Sequence, residues 1–121
     1  MKRITALLPA LVFFLQLAAQ VSYQRIANAD GEPGSWLTYS GNYAATRYSP
    51  LNQVNTSTVK KLAPVWIYQV KNSSAPFECT PLVAGKVMYI SEPPSTVTAL
   101  DLATGRKIWT YTPDIPKDVK F

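Results

Sequence analysis

Few side chains in this sequence can do chemistry, and their types exclude more than they allow. There is no histidine among the 121 residues, so no imidazole can act as a general base or a metal ligand. Cys79 is the single cysteine, which rules out an internal disulfide and leaves no second thiol to complete a zinc or redox site. Two carboxylates stand in informative contexts. Asp101 opens the run Asp101-Leu102-Ala103-Thr104-Gly105, in which Asp101 or Thr104 can bond to turn amides and Gly105 can take the positive φ of a bulged hairpin turn. That context marks an outer turn and makes Asp101 a poor candidate base. Glu78 stands just before Thr80-Pro81-Leu82-Val83, and a glutamate in a loop leading into a strand is, taken by itself, a solvated residue. Whatever reaction this chain joins, it does not carry it alone.

The elements that must position these residues begin after a leader. Lys2 and Arg3 form a basic start, and Ile4 to Leu17 are apolar apart from Thr5, Pro9 and Gln16. This is the n-region and h-region of a secretory signal. The stretch falls short of the roughly 18–20 residues that span a bilayer, and Pro9 would disturb a permanent membrane helix; a retained anchor is the competing reading. Two small-residue cleavage sites follow, Ala27-Asn28-Ala29 and Leu17-Ala18-Ala19. The first is preferred because Gly31-Glu32-Pro33-Gly34 reads as an exposed start, giving a signal over 1–29 and a domain over 30–121. Export implies the periplasm or the exterior. Loss of Lys2, Arg3 and Arg25 leaves nine basic against seven acidic residues, close to neutral. Lys60-Lys61 and Arg106-Lys107 are isolated solvated pairs, so there is no electrostatic case for binding nucleic acid, and no membrane span is expected once the signal is gone.

With 47% apolar and 16% charged residues the chain is globular rather than disordered. From Thr80 onward, runs of strand formers alternate with turn signals: Pro81-Leu82-Val83, Lys86 to Ser91, Thr96 to Asp101, and Arg106 to Tyr111. Four strands joined by tight turns predict an antiparallel meander. Val87 and Tyr89 point one way and Met88 and Ile90 the other, so both faces of the second strand are apolar and both need cover. A β-propeller blade is the commonest small meander flanked on both faces by equivalents. Val65-Trp66-Ile67-Tyr68 and Ile108-Trp109-Thr110-Tyr111 share an aliphatic-Trp-x-Tyr pattern, with tryptophans 43 positions apart, inside the range of about 40–50 residues for one blade. Trp109 is expected to lie flat between neighbouring sheets. Seven or eight such blades need several hundred residues, so this all-β chain is expected to be a fragment with about one blade and the outer strands of another.

Trp36-Leu37-Thr38-Tyr39 and the run Gly41 to Asn55, which contains Arg47-Tyr48-Ser49-Pro50-Leu51, resemble the amino-terminal segment of quinoprotein alcohol dehydrogenases, the pyrroloquinoline quinone (PQQ) enzymes related to methanol dehydrogenase. Glu78-Cys79-Thr80-Pro81-Leu82-Val83 is similar to that family's Glu-x-Thr-Pro-Leu-Val strand, and Ala99 to Trp109 resembles its tryptophan docking motif. The resemblance covers nearly all of the chain after the leader. It implies the amino-terminal part of an eight-bladed β-propeller that holds PQQ and calcium, or a lanthanide in some members, near its axis. It implies oxidation of alcohols by hydride transfer to the quinone, with a periplasmic acceptor such as cytochrome c. Glu78 matches the glutamate that hydrogen-bonds PQQ at the end of the innermost strand of the first blade. A carboxylate placed there must be paired or hydrogen-bonded to stay charged.

The resemblance also says what is missing. The adjacent-cysteine disulfide, the metal ligands, the catalytic aspartate and the tryptophan under the quinone ring belong to later segments, so no catalytic or metal-binding residue is assigned here. Cys79 has no neighbouring cysteine and is expected to be a small buried apolar residue. Arg47 is expected to pair with a carboxylate in another blade. The leading expectation is a fragment that is inactive by itself. The alternative is a propeller of PQQ-like repeats serving as a non-enzymatic envelope scaffold, which accounts for Trp109 but not for Glu78 or the Arg47 segment. A free-standing secreted module fails on its uncovered faces unless it oligomerises into a ring.

Overall fold

The structure is a computed structural model that describes residues 21–70, 76–116 and 118. The leader from Lys2 to Leu17, its upstream cleavage candidate and residues 117 and 119–121 lie outside the described residues. Among the described residues no helix is long and apolar enough to cross a membrane.

Four strands form one sheet in the order β1-β2-β3-β4: β1 (Leu82–Ala84), β2 (Val87–Glu92), β3 (Thr96–Asp101) and β4 (Lys107–Tyr111). All neighbours are antiparallel, as the short turns demand. The four runs of strand formers are therefore the four strands, each within two residues of its expected limits. Two residues suffice between β1 and β2, and Pro93-Pro94-Ser95, with a cis bond between the prolines, separates β2 from β3. The register pairs Tyr89 with Ala99 and Ala99 with Trp109, so these three share one face. Met88 pairs with Leu100 and Ile90 with Thr98, placing those four on the other. A bulge opposite Ala99/Leu100 absorbs Ile108, and such an extra residue strengthens the local twist.

The face carrying Met88, Ile90 and Leu100 is covered from within the chain. Trp66, Tyr68 and Val70 are half-buried while Val65 and Ile67 are 88% and 85% exposed. This alternation is that of a strand, yet the segment joins no ladder among the described residues. With Phe77 it roofs an apolar groove of roughly 230 Å³ over Met88, Ile90 and Leu100. Thr98, Ala99 and Leu100 are buried almost completely, which makes β3 the centre of the core. The opposite face is less covered: Tyr89 and Trp109 meet at 6.0 Å between ring centroids, but Trp109 stays 45% and Tyr111 61% exposed. Trp109 thus contacts one aromatic neighbour and presents the rest of its indole outward.

Trp66 is held at a single point. Its indole N–H donates to the Leu102 carbonyl at 3.0 Å, and its ring lies against Gly105, whose φ is +69°. A Cβ on Gly105 would sit 2.5 Å from Trp66 Cδ2 and Cε3, so this position requires glycine twice over, for its backbone conformation and for the approach of the indole.

The edge of β1 is capped by chain from the amino-terminal half. Trp36 and Val83 exchange both backbone hydrogen bonds, at 2.7 and 2.9 Å, and the Trp36 ring packs against Gly41, where a Cβ would stand 3.1 Å from it. Leu37 and Ser40 are buried beside it. Before this comes helix α1 (Tyr23–Ala27), followed by a 3-10 turn over Ala29–Gly31.

Gly105→Ala is expected to destabilise the full-length protein by about 1–3 kcal/mol, the cost of a left-handed non-glycine residue, with further loss from displacing Trp66. The measurement is the midpoint of chemical unfolding. A midpoint equal to that of the wild type would show that Trp66 does not rest on this turn.

Candidate functional site

The β2–β3 turn and the approach to β1 lie at the same end of the sheet and enclose an open cleft of roughly 340 Å³, lined by Pro76, Glu78, Ser91, Glu92, Pro93, Pro94 and Ser95. Antiparallel pairing explains why. Leu82 pairs with Tyr89, so continuing the register backward carries residues 78–80 toward the end of β2. The Ser91 N–H donates to Cys79 Sγ at 3.2 Å, which ties this approach segment to β2 just outside the ladder. Glu78 follows from that tie: its side chain is exposed at the cleft, four residues before β1 rather than within a strand. No other described residue hydrogen-bonds its carboxylate.

The cleft also holds an unsatisfied group. The Ser95 hydroxyl is buried without a hydrogen-bond partner among the described residues, and such atoms are rare unless something outside the described protein satisfies them. Glu92, by contrast, is engaged: the Thr98 hydroxyl donates to its Oε1 at 2.5 Å, and Thr98 also bonds Thr110 across the sheet. An open carboxylate between proline walls suits a polar ligand that can donate a hydrogen bond. Among the described residues no three His, Cys, Asp or Glu side chains gather to hold a metal.

The remaining sequence candidates fall elsewhere. Asp101 sits in the β3–β4 turn, where Oδ1 accepts from the Thr104 N–H at 2.9 Å and from its hydroxyl at 2.7 Å. These bonds, the hydroxyl's foremost, hold its carboxyl below the usual aspartate range. Cys79 is half-buried rather than fully buried, because its sulfur is engaged at the strand end and not packed in the core. The Arg47 guanidinium lies over the Tyr39 ring, 5.4 Å from its centroid, a cation–π contact that sequence reasoning did not anticipate. Ser95 was also missed; only its place in the turn facing Glu78 marks it, and no short-range sequence signal reports that.

Comparison with known proteins bears on the same residues. Residues 36–121 match the family model described as PQQ, the glucose/ethanol/alcohol dehydrogenase β-propeller domain. The chain belongs to this family. It is 43% identical over 89 residues to the dehydrogenase subunit of a quinone-type alcohol dehydrogenase from Gluconobacter oxydans, covering 74% of this chain and 12% of that protein. It is 44% identical over 85 residues to a 1-butanol dehydrogenase (cytochrome c) from Thauera butanivorans, covering 70% of this chain and 12% of the relative. The solved quinohemoprotein alcohol dehydrogenase from Pseudomonas putida superposes with a TM-score of 0.73 at 42% identity, over 77% of this chain and 14% of its own. The chain thus spans about an eighth of the length of the relatives it matches, and the four-stranded sheet is part of a PQQ-family propeller, in agreement with the reading of the strands.

The Asp101 turn yields a signed pH effect. A carboxyl whose native pKa is lowered stabilises the fold fully above its ordinary value of about 3.9 and loses that contribution as pH falls through the native value. Asp101→Asn, which keeps the oxygen acceptor, is expected to lower the urea midpoint of the full-length protein near pH 6, with the difference shrinking as the pH falls below the ordinary aspartate range. A difference that grows on acidification would reverse the assignment.

Proposed function

We propose that this chain is the amino-terminal part of an exported, periplasmic PQQ-dependent dehydrogenase that oxidises alcohols, and that its contribution to the site is Glu78. The observation that carries the proposal is the Glu78 carboxylate, open at the end of the sheet in the cleft walled by Pro93 and Pro94, in a chain whose family is defined by the quinone. When bound, PQQ supplies the acceptor for the hydride leaving the alcohol carbon. The residues of this chain bind and orient: Glu78 accepts a hydrogen bond from the cofactor, and the Pro93-Pro94 wall limits water on one side. Calcium or a lanthanide is assigned to ligands from other segments, as is the base that takes the alcohol proton. A c-type cytochrome is the acceptor that best fits, since the Thauera butanivorans relative carries it in its name. By itself the 121-residue chain is inactive, because the metal ligands and the base are assigned to other segments.

The scaffold alternative shares the Trp66 dock with this reading, because a docked tryptophan serves any propeller. It gives no reason for an open carboxylate facing a proline-walled cleft.

Glu78→Gln in the full-length protein is expected to weaken PQQ binding by roughly 10–100-fold, the equivalent of one hydrogen bond to a charged group. Titration of the apoprotein with PQQ reads the change. Unaltered affinity would remove Glu78 from the cofactor site, and alcohol oxidation by the 121-residue chain supplied with PQQ and calcium would overturn the division of labour.

A further inference from the structure

We propose that the leader is removed between Ala19 and Gln20, so that residues 20–29 belong to the mature protein and are not discarded; this rests on the export reading above. A leader is thrown away and has no need of partners in the fold. Residues 22–28 have several. The Ser22 hydroxyl caps α1 by accepting from the Arg25 N–H at 3.3 Å, as helix starts prefer. Arg25 grips Glu32 with two parallel bonds, Nε to Oε1 at 2.8 Å and Nη2 to Oε2 at 2.6 Å, the geometry that distinguishes a specific arginine–carboxylate pair from a chance surface contact. Ser35 donates to the same carboxylate at 3.2 Å. Tyr23 stacks on Tyr43 with centroids 5.4 Å apart, joining α1 to the loop that follows Gly41. Cleavage after Ala29 would sever Arg25 from Glu32 and Tyr23 from Tyr43, and would leave the Glu32 carboxylate with only the Ser35 hydroxyl.

The peptidase meets the chain before it folds, so the folded state does not shield the downstream bond. Spacing decides between the two. Leu17-Ala18-Ala19 closes the apolar run directly, where a signal is read, whereas nine residues, including the charged Arg25, separate Leu17 from Ala27.

Peptide mapping of the full-length protein recovered from the periplasm tests this, since trypsin cuts after Arg25 and Arg47. An amino-terminal peptide 20–25 is expected, with or without cyclisation of Gln20. A peptide 30–47 with no trace of residues 20–25 would overturn the inference and leave export standing. A peptide 4–25 in all of the protein would show the leader retained as an anchor, which overturns the inference and leaves export standing, whereas absence of the protein from the periplasm would overturn export itself. Ala19→Arg is expected to accumulate the uncleaved precursor while Ala29→Arg is processed like the wild type; the reverse pattern would assign the cut to Ala29.

Discussion

The contact between the Trp66 indole and Gly105 is the constraint on which the sheet depends. A four-stranded meander with apolar residues on both faces cannot stand in water on its hairpins alone. Here one face is covered because a segment about 40 residues upstream of the β3–β4 turn is pinned to it through a ring on a glycine and an indole N–H on the Leu102 carbonyl. The turn can receive the ring because Asp101 shapes it, taking the Thr104 amide and hydroxyl on one oxygen. Tyr68, Val70 and Phe77 then follow Trp66 onto Met88, Ile90 and Leu100. A local turn motif and a distant tryptophan thus act together as one device.

The other face shows what the same device leaves to its surroundings. Ala99 lies between Tyr89 and Trp109 in register and is fully buried, but the outer surfaces of Trp109 and Tyr111 remain open. An aromatic side chain buries about 150–250 Å², so covering the exposed half of Trp109 is worth on the order of 2–3 kcal/mol at 25 cal/mol per Å². This is the area a neighbouring blade covers in a propeller, and it fits a chain that spans about an eighth of its relatives.

Local signals in the sequence reached the strands and the turns, and long-range ones did not. The limits of β3 and the left-handed Gly105 were legible because strand formers, turn residues and the Asp-to-Gly spacing act within a few positions. Trp66 was legible as a tryptophan repeating after 43 residues, but its spacing suggested an equivalent strand, whereas the structure uses it as a clamp on the turn. The Trp36–Val83 bridge joins residues 47 positions apart, and no periodicity encodes such a pairing. Helix α1 was hidden for a different reason: an Ala-x-Ala triplet at its end reads as a processing signal, and the Arg25–Glu32 and Tyr23–Tyr43 contacts reveal that the segment has partners in the fold. Cys79 was expected in the core, and its position at a strand end, bonded to a backbone amide, follows from register and not from residue type.

The same dependence on register explains how Glu78 is placed without being part of any strand. Three ties act on the few residues around it. Trp36 holds the outer edge of β1 and the β2 ladder holds the inner one, which fixes where the chain must arrive at Leu82. The Ser91 amide on Cys79 Sγ fixes the direction from which it arrives. The β2–β3 turn then closes the cleft from the far side, with Thr98 keeping Glu92 occupied and Glu78 the open carboxylate of the pair. A glutamate on a free loop would lose backbone entropy of about 1–2 kcal/mol per residue ordered on meeting a ligand; one whose backbone is already tied beside the end of β2 has less of it left to give up. Preorganisation of this kind is what a single blade can supply to a ligand, and it stems from the sheet's pairing before any other segment of the protein takes part.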